Sequence, residues 1–291
     1  MVAVDRFDTL EFTATSEPKC DVRCEWIAGW RKPAAGLDTG ASDAFLGDLP
    51  QGPANIVWRV VEGFRSAAGV EQGASIRLWK RIPSLSGLGG ASSDAAGALV
   101  AANRVWNVGW SRARLAEFAA QFGSDIPFFF APMRPGPCAA LARGRGERIE
   151  LLDGVGSLHA VVVRPPVGLS TPAVYARCQI PREPLAAQPL VAALQAGRGD
   201  QLGKRLFNRL QPAACQLSPW IARMQTIFQQ LDCWGHAMSG SGSSYFGLCR
   251  HQRQAQQLTA RLRAMRLGQV FRVATVSTPC RFVDTTFGTT A

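Results

Sequence analysis

The residues best equipped for chemistry lie in three short stretches. The first, residues 81–97, reads Arg-Ile-Pro-Ser-Leu-Ser-Gly-Leu-Gly-Gly-Ala-Ser-Ser-Asp-Ala-Ala-Gly. A strand-like run with Ile76, Leu78 and Ile82 in alternation precedes it, and an alanine-rich helical run follows over 95–105. Gly87, Gly89 and Gly90 let the backbone turn its N–H groups inward with no Cβ in the way. Ser92 or Ser93 is placed to cap the helix that follows. The open N–H groups of that helix and the positive end of its dipole favour an anion. The stretch reads as a phosphate cradle or as a plain tight turn, with nothing local to separate the two. It is no Walker loop, because G-x-x-x-x-G-K-[ST] needs a lysine that is absent. Nor is it a dinucleotide fingerprint: Gly87-x-Gly89-x-x-Ser92 lacks the last glycine, and residues 103–110 hold no acid for a ribose.

The second stretch is Gly123-Ser124-Asp125-Ile126-Pro127-Phe128-Phe129-Phe130. It places one carboxylate at a sharp junction, expected between a helix and a very apolar strand. Asp125 is either an ordinary turn acid or a rigidly held catalytic carboxylate. The third stretch, residues 235–248, carries Ser239, Gly240, Ser241 and Gly242 between two short apolar runs. It reads as a second glycine-serine loop or as a plain hairpin turn.

Composition limits what these stretches serve. The chain has 291 residues, 47% of them hydrophobic and 18% charged, so one large domain or two ordinary ones with real cores are expected. No apolar run is long enough to span a bilayer, and residues 1–8, with acidic side chains and no long apolar core, are not expected to act as a signal peptide. The net charge of +11 is carried mostly by arginines that are scattered and not interleaved with aromatics. This reads as solvated surface with a bias toward anionic small molecules, without nucleic-acid or membrane binding. Eight cysteines form no C-x-x-C pair; Cys20-x-x-x-Cys24 has no second ligand pair at zinc-finger spacing, and the three histidines lie far from it in sequence. Free thiols in the cytoplasm are expected, and a zinc site is not.

The elements that must position these residues follow from periodicity. Residues 1–14 read as a strand and 15–54 as loops with brief strand pieces. A helix is expected over 55–68, with Ile56, Val60 and Phe64 on one face. A strand over 75–82 leads into the glycine loop. Ser111 starts a helix over 112–122. A hairpin follows within 131–156, then a buried strand at 158–163, just before which a domain boundary is placed. Beyond it come a short helix at 171–175, a linker at 182–188, and helices at 189–196, 200–210 and 219–231. A strand, loop and strand over 235–248, a helix at 252–265 and a strand at 270–276 complete an α+β pattern.

Together the three stretches resemble the GHMP kinase superfamily, whose signature is a Pro-x-x-x-Gly-Leu-Gly-x-Ser-Ser-Ala-type loop. The loop running from Ile82 to Ala96, the Gly123–Phe128 segment and Met238-Ser239-Gly240-Ser241-Gly242 occur in the family's order. Asn208-x-Leu210 and Val4-Asp5-Arg6-Phe7-Asp8-Thr9-Leu10 are similar to further family segments. Within the superfamily the match is closest to the branch that phosphorylates the 2-hydroxyl of a diphosphocytidyl methylerythritol in non-mevalonate isoprenoid synthesis. The resemblance implies a two-domain α+β fold: a ribosomal protein S5 domain 2-like ATP-binding domain over 1–156 and a ferredoxin-like domain over 157–291. It implies ATP held by Pro83, Ser86, Gly87, Leu88, Gly89, Gly90, Ala91, Ser92 and Ser93, with Lys80 and Asn55 on the adenosine side. It implies Mg²⁺ near Ser93, Asp125 as the catalytic carboxylate, and Ser239, Gly240, Ser241 and Gly242 lining the acceptor side. A monomer or homodimer acting on a small-molecule substrate is the expected form. The family's Lys-x-Asn and Gly-Tyr-His segments occur nowhere in the 291 residues. They are expected upstream of Met1, so the start codon is misplaced or the chain is shortened. A nucleotide-binding remnant, or a kinase for another small alcohol, is the alternative reading.

Overall fold

The computed structural model describes residues 1–27 and 49–281; part of the expected 15–54 loop region lies outside them. The first sheet has three strands, β1 (Thr9–Thr15), β2 (Cys20–Trp26) and β3 (Gly73–Lys80), in the order β1-β3-β2. β1 runs antiparallel to β3 and β2 parallel to it. Two helices cover this sheet, α1 (Ile56–Ala67) and α2 (Gly90–Val105).

Local chemistry accounts for these elements. The Asn55 side chain accepts from the Val57 amide at 2.9 Å and caps α1. Val57, Val60, Val61 and Phe64, at helical spacing, are buried on the sheet. Small residues dominate the buried face of α2 (Ala95, Ala96, Ala98, Ala102), which lets it lie close to α1 and β1. In β3 the side chains of Ile76, Leu78 and Lys80 fall on the same inward phase. One core joins Phe64, Leu78, Leu99, Leu115 and Ile126.

After α2 come α3 (Arg112–Ala119), capped by Ser111, and a 3-10 helix over Ile126–Phe130. That apolar run is therefore a tight helix and not the expected strand. Pro127 lies at its start, where a missing N–H costs nothing, and Phe128 and Phe130 pack inward. A two-stranded hairpin follows, β4 (Ala140–Arg143) and β5 (Arg148–Leu151).

The second sheet contains β6 (His159–Arg164), β7 (Gly235–Met238), β8 (Tyr245–Cys249) and β9 (Gln269–Ala274). Its order is β7-β8-β6-β9 and all pairings are antiparallel. Between β6 and β7 lie α4 (Thr171–Ala176), α5 (Gln188–Gln195), α6 (Gly199–Lys204), α7 (Gln211–Leu217) and α8 (Pro219–Gln229). α9 (Gln252–Ala264) joins β8 to β9. A strand order of 4-1-3-2 within this sheet is the ferredoxin-like arrangement expected. Val161, Val163, Met224, Phe228, Tyr245 and Leu262 form its core on the α8 and α9 face.

Three expectations change in detail. The chain start is not one strand: only Thr9–Thr15 is, while Val2 bridges Ala139 and Val4 bridges Thr275. The helix expected over 200–210 stops at Lys204, and α7 begins at Gln211. The helix after the glycine loop starts at Gly90, so Ser92 and Ser93 lie inside its first turn and do not cap it. All eight cysteines are free thiols. Among the described residues no helix is long and apolar enough to cross a membrane.

Candidate active site

A large cleft runs between the two sheets. Every residue singled out from the sequence lines it: Asn55, Lys80, the loop from Pro83 to Ser93, Asp125, and Ser239 to Gly242. Residues more than a hundred positions apart thus meet on one surface.

The loop takes its shape from both sheets. Gly87 and Gly89 have φ of 71° and 70°, left-handed values that glycine adopts without strain. Gly89 occupies the N-cap position of α2, with no side-chain cap. The first helical bond runs from the Ser93 amide to the Gly89 carbonyl at 2.9 Å. No acceptor among the described residues meets the N–H groups of residues 87–92. The carbonyls before them point the other way, into the second domain. Ser86 O accepts from the Ser244 amide at 3.0 Å, and Gly87 O from the Ser239 hydroxyl at 2.9 Å. Ser84 O accepts from Arg164 Nη2 at 3.4 Å. Leu88 packs into the apolar cluster of Val162, Leu248 and Phe271. The result is a concave row of donors at the positive end of a 16-residue helix, from which carbonyl oxygens are withdrawn.

Arg164 is fully buried at the end of β6, and burial pulls its pKa down to about 10. Ser86 donates internally to Pro83 O at 2.7 Å. Ser93 donates its hydroxyl proton to Gly90 O at 2.8 Å, which leaves the oxygen lone pairs free.

Asp125 stands where the 3-10 helix begins, its side chain not used as a cap. The residue opens to the cleft, yet the carboxyl itself is crowded. Gly146, in the β4–β5 turn, lies so close that a Cβ there would come within 3.2 Å of Asp125 Oδ1. Desolvation raises the Asp125 pKa, with the Met1 ammonium and Ser124 pulling the other way. Arg145 in the same turn and Tyr175 on α4 also line the cleft, and Tyr175 is 59% exposed. The Tyr175 phenol is pushed up by burial and then by the charge of Asp125.

Two predicted nucleotide contacts have other work. The Asn55 amide group donates to Pro50 O at 2.7 Å while its oxygen caps α1, and only 5% of the residue is exposed. Lys80 is equally buried although it lines the cleft. Its Nζ donates to Asp8 Oδ2 and to Asp94 Oδ2. Burial opposes the Lys80 charge, but the two carboxylates outweigh it and its pKa rises. Burial also raises Asp94, to about 7. Both directions agree physically: one cation among two buried carboxylates makes a cluster that holds its protons.

Ser239, expected on the acceptor side, spends its hydroxyl on Gly87. Ser241 shares its hydroxyl with Thr171 Oγ1 at 2.8 Å at the cleft rim. Asn208 holds this loop from below, donating to Met238 O at 2.7 Å and Gly240 O at 2.8 Å. Asp8, Asp94, Asn208, Arg145 and Tyr175 are the residues to which sequence reasoning attached no role. A signal existed for Asp8 and Asp94: position 80 falls on the inward phase of β3, and a buried lysine needs carboxylates.

Known proteins are similar to this chain. Residues 55–131 match the family described as GHMP kinases N terminal domain, and residues 190–266 match GHMP kinases C terminal. A 4-diphosphocytidyl-2-C-methyl-D-erythritol kinase of Pelotomaculum thermopropionicum is 43% identical over 218 residues, 74% of either chain. The protein of that name from Rhodopirellula baltica is 34% identical over 286 residues, covering 91% of this chain and 82% of the relative. A crystal structure of 4-(cytidine 5'-diphospho)-2C-methyl-D-erythritol kinase superposes with a TM-score of 0.67 at 28% identity, covering 92% of this chain and 85% of the other. Homoserine kinase from Cytophaga hutchinsonii, at 20% identity and a TM-score of 0.70, shares the fold.

Proposed function

The chain belongs to the GHMP kinases and, within them, to the 4-diphosphocytidyl-2-C-methyl-D-erythritol kinase family, and we propose that the cleft between its sheets is where the terminal phosphoryl group of ATP passes to the 2-hydroxyl of that alcohol. The observation that carries this reading is the row of amides over residues 87–92 that meet no acceptor among the described residues, at the start of α2, in the same cleft that Asp125 lines. Residues 1–156 are read as the nucleotide-binding domain and 157–291 as its C-terminal partner.

Phosphoryl transfer asks mostly for positioning and charge stabilisation. The loop amides bind the polyphosphate and the α2 dipole adds to them. Ser93 is the hydroxyl suited to a magnesium ion. Its lone pairs are free, and among the described residues no cluster of three or more His, Cys, Asp or Glu side chains competes for a metal. Mg²⁺ bound largely by phosphates and water needs few protein ligands, so this donor set fits. When bound, the ion neutralises charge on the phosphates. Asp125 accepts the proton of the acceptor hydroxyl or orients it. Its raised pKa, caused by desolvation, makes it a better base than a fully solvated aspartate.

The relatives' alcohol carries a diphosphate and a cytosine. Arg145, which lines the cleft next in sequence to the Gly146 that crowds Asp125 and is in no ion pair among the described residues, suits the diphosphate. Tyr175 presents an exposed ring on which a base can stack.

The test is turnover of ATP with 4-diphosphocytidyl-2-C-methyl-D-erythritol by the chain and by Asp125→Asn. The variant is expected to bind ATP normally and to lose about 10²- to 10⁴-fold in kcat, the range for removing a positioned general base. Full activity in Asp125→Asn would move the base elsewhere.

A further inference from the structure

The geometry points to Asp8, Lys80 and Asp94 as a buried strut that sets the shape of the phosphate loop, with Lys80 and Asp8 acting as positioning residues for ATP and not as contacts to it. This rests on the loop being the ATP site.

The three residues come from three segments that meet under the loop. Asp8 lies just before β1, Lys80 is the last residue of β3, and Asp94 is in the second turn of α2. Lys80 Nζ ties the two carboxylates together. Asp8 Oδ1 meanwhile accepts the amide N–H groups of Arg81 and of Ile82, the latter at 2.9 Å. One carboxylate therefore grips the two residues that enter the loop, and the ammonium links it to the helix that leaves the loop. The distance between the two feet of residues 83–89 is set by this chain of contacts.

The strut lies directly beneath the anion cradle. A Cβ on Gly90, the first residue of α2, would come within 3.5 Å of Lys80 Nζ and 2.8 Å of Ile82 Cγ2. Side-chain exposures are 3% for Asp8, 6% for Lys80 and 5% for Asp94. Ions so withdrawn from water add little net stability, because desolvation offsets their attraction. What such a cluster supplies is one geometry, since any displacement strands a charge without a partner. With Nζ committed to two carboxylates, Lys80 serves the nucleotide through the backbone of residues 81–90.

Direct contact between Lys80 and ATP makes the opposite prediction for Asp8. Freeing the ammonium would then preserve or tighten ATP binding, whereas loss of the strut weakens it. The measurement is the Kd of ATP by calorimetry without acceptor, together with the acceptor KM at saturating ATP, on variants whose melting confirms a folded chain. Asp8→Ala is expected to weaken ATP by about tenfold to a hundredfold, the factor carried by a charge-assisted hydrogen bond. The acceptor KM should move less than about twofold. Asp8→Asn keeps an oxygen for the Arg81 and Ile82 amides but turns an NH2 group toward the Lys80 ammonium, so its ATP affinity should fall between those of Asp8→Ala and the parent chain. ATP affinity unchanged or tightened in Asp8→Ala, or an acceptor KM raised by the same factor, overturns the proposal. If Asp8→Ala does not fold, Lys80→Met carries the same expectation and the same refutation. A parent chain that binds no ATP would instead overturn the assignment of the loop itself.

Discussion

Gly87→Ala tests how tightly the phosphate loop is locked to the second domain. Gly87 has a φ of 71°, and a non-glycine residue there costs about 1–2 kcal/mol in backbone strain alone. Space is the larger obstacle. The new Cβ would lie 2.1 Å from Ser239 O and 2.9 Å from both the amide nitrogen and the carbonyl oxygen of Gly242. These are backbone atoms, so the two loops must separate. Separation breaks the bond from Ser239 Oγ to Gly87 O and that from the Ser244 amide to Ser86 O, each worth about 1 kcal/mol. The sum is about 3–4 kcal/mol, and expressed in ATP binding it is a loss of roughly 10²- to 10³-fold. Gly69→Ala is the control. Its φ of 65° is similar, but nothing lies within 4 Å of the added carbon. It should cost about 1–2 kcal/mol of stability and leave ATP affinity alone. Calorimetric Kd values and melting curves for both variants decide the matter. A Gly87→Ala chain that binds ATP like its parent, with a melting point shifted no further than that of Gly69→Ala, would refute a contribution of the interlock to the loop's shape.

Asp125 must be ionised to take a proton, and its pKa lies above the usual aspartate value because the carboxyl is desolvated. The rate should therefore fall as pH drops through that raised pKa and stay level above it; a kcat profile that is flat down to the ordinary aspartate range would remove Asp125 as the base. Tyr175→Ala should raise the acceptor KM by about 5- to 150-fold, the equivalent of one base stacked on an aromatic ring, and leave the ATP KM unmoved. Parallel KM measurements check this, and an equal rise for both substrates would count against a stacking role.

Much of the protein follows from short-range chemistry and is visible in the amino-acid order. The glycines at 87, 89 and 90 dictate a turn with free amides, Asn55 and Ser111 begin helices, and the spacing of Val57, Val60, Val61 and Phe64 gives α1 its buried face. The three motifs in order were enough to indicate the kinase family and its two-part α+β fold. What the sequence order leaves open is set by contacts between distant segments. The apolar run at 126–130 suits a strand or a tight helix equally by composition, and packing against α2 and α3 selects the helix. Ser239 looks like a ligand-facing hydroxyl until Gly87, 152 positions away, is seen to accept its proton. Lys80, placed on the adenosine side by the resemblance, has its ammonium enclosed by Asp8 and Asp94, 72 and 14 positions away. The physical reason is the same in each case. Backbone preference and periodicity act over a few residues and are written locally, whereas the fate of a polar group depends on what the fold brings within about 3 Å of it.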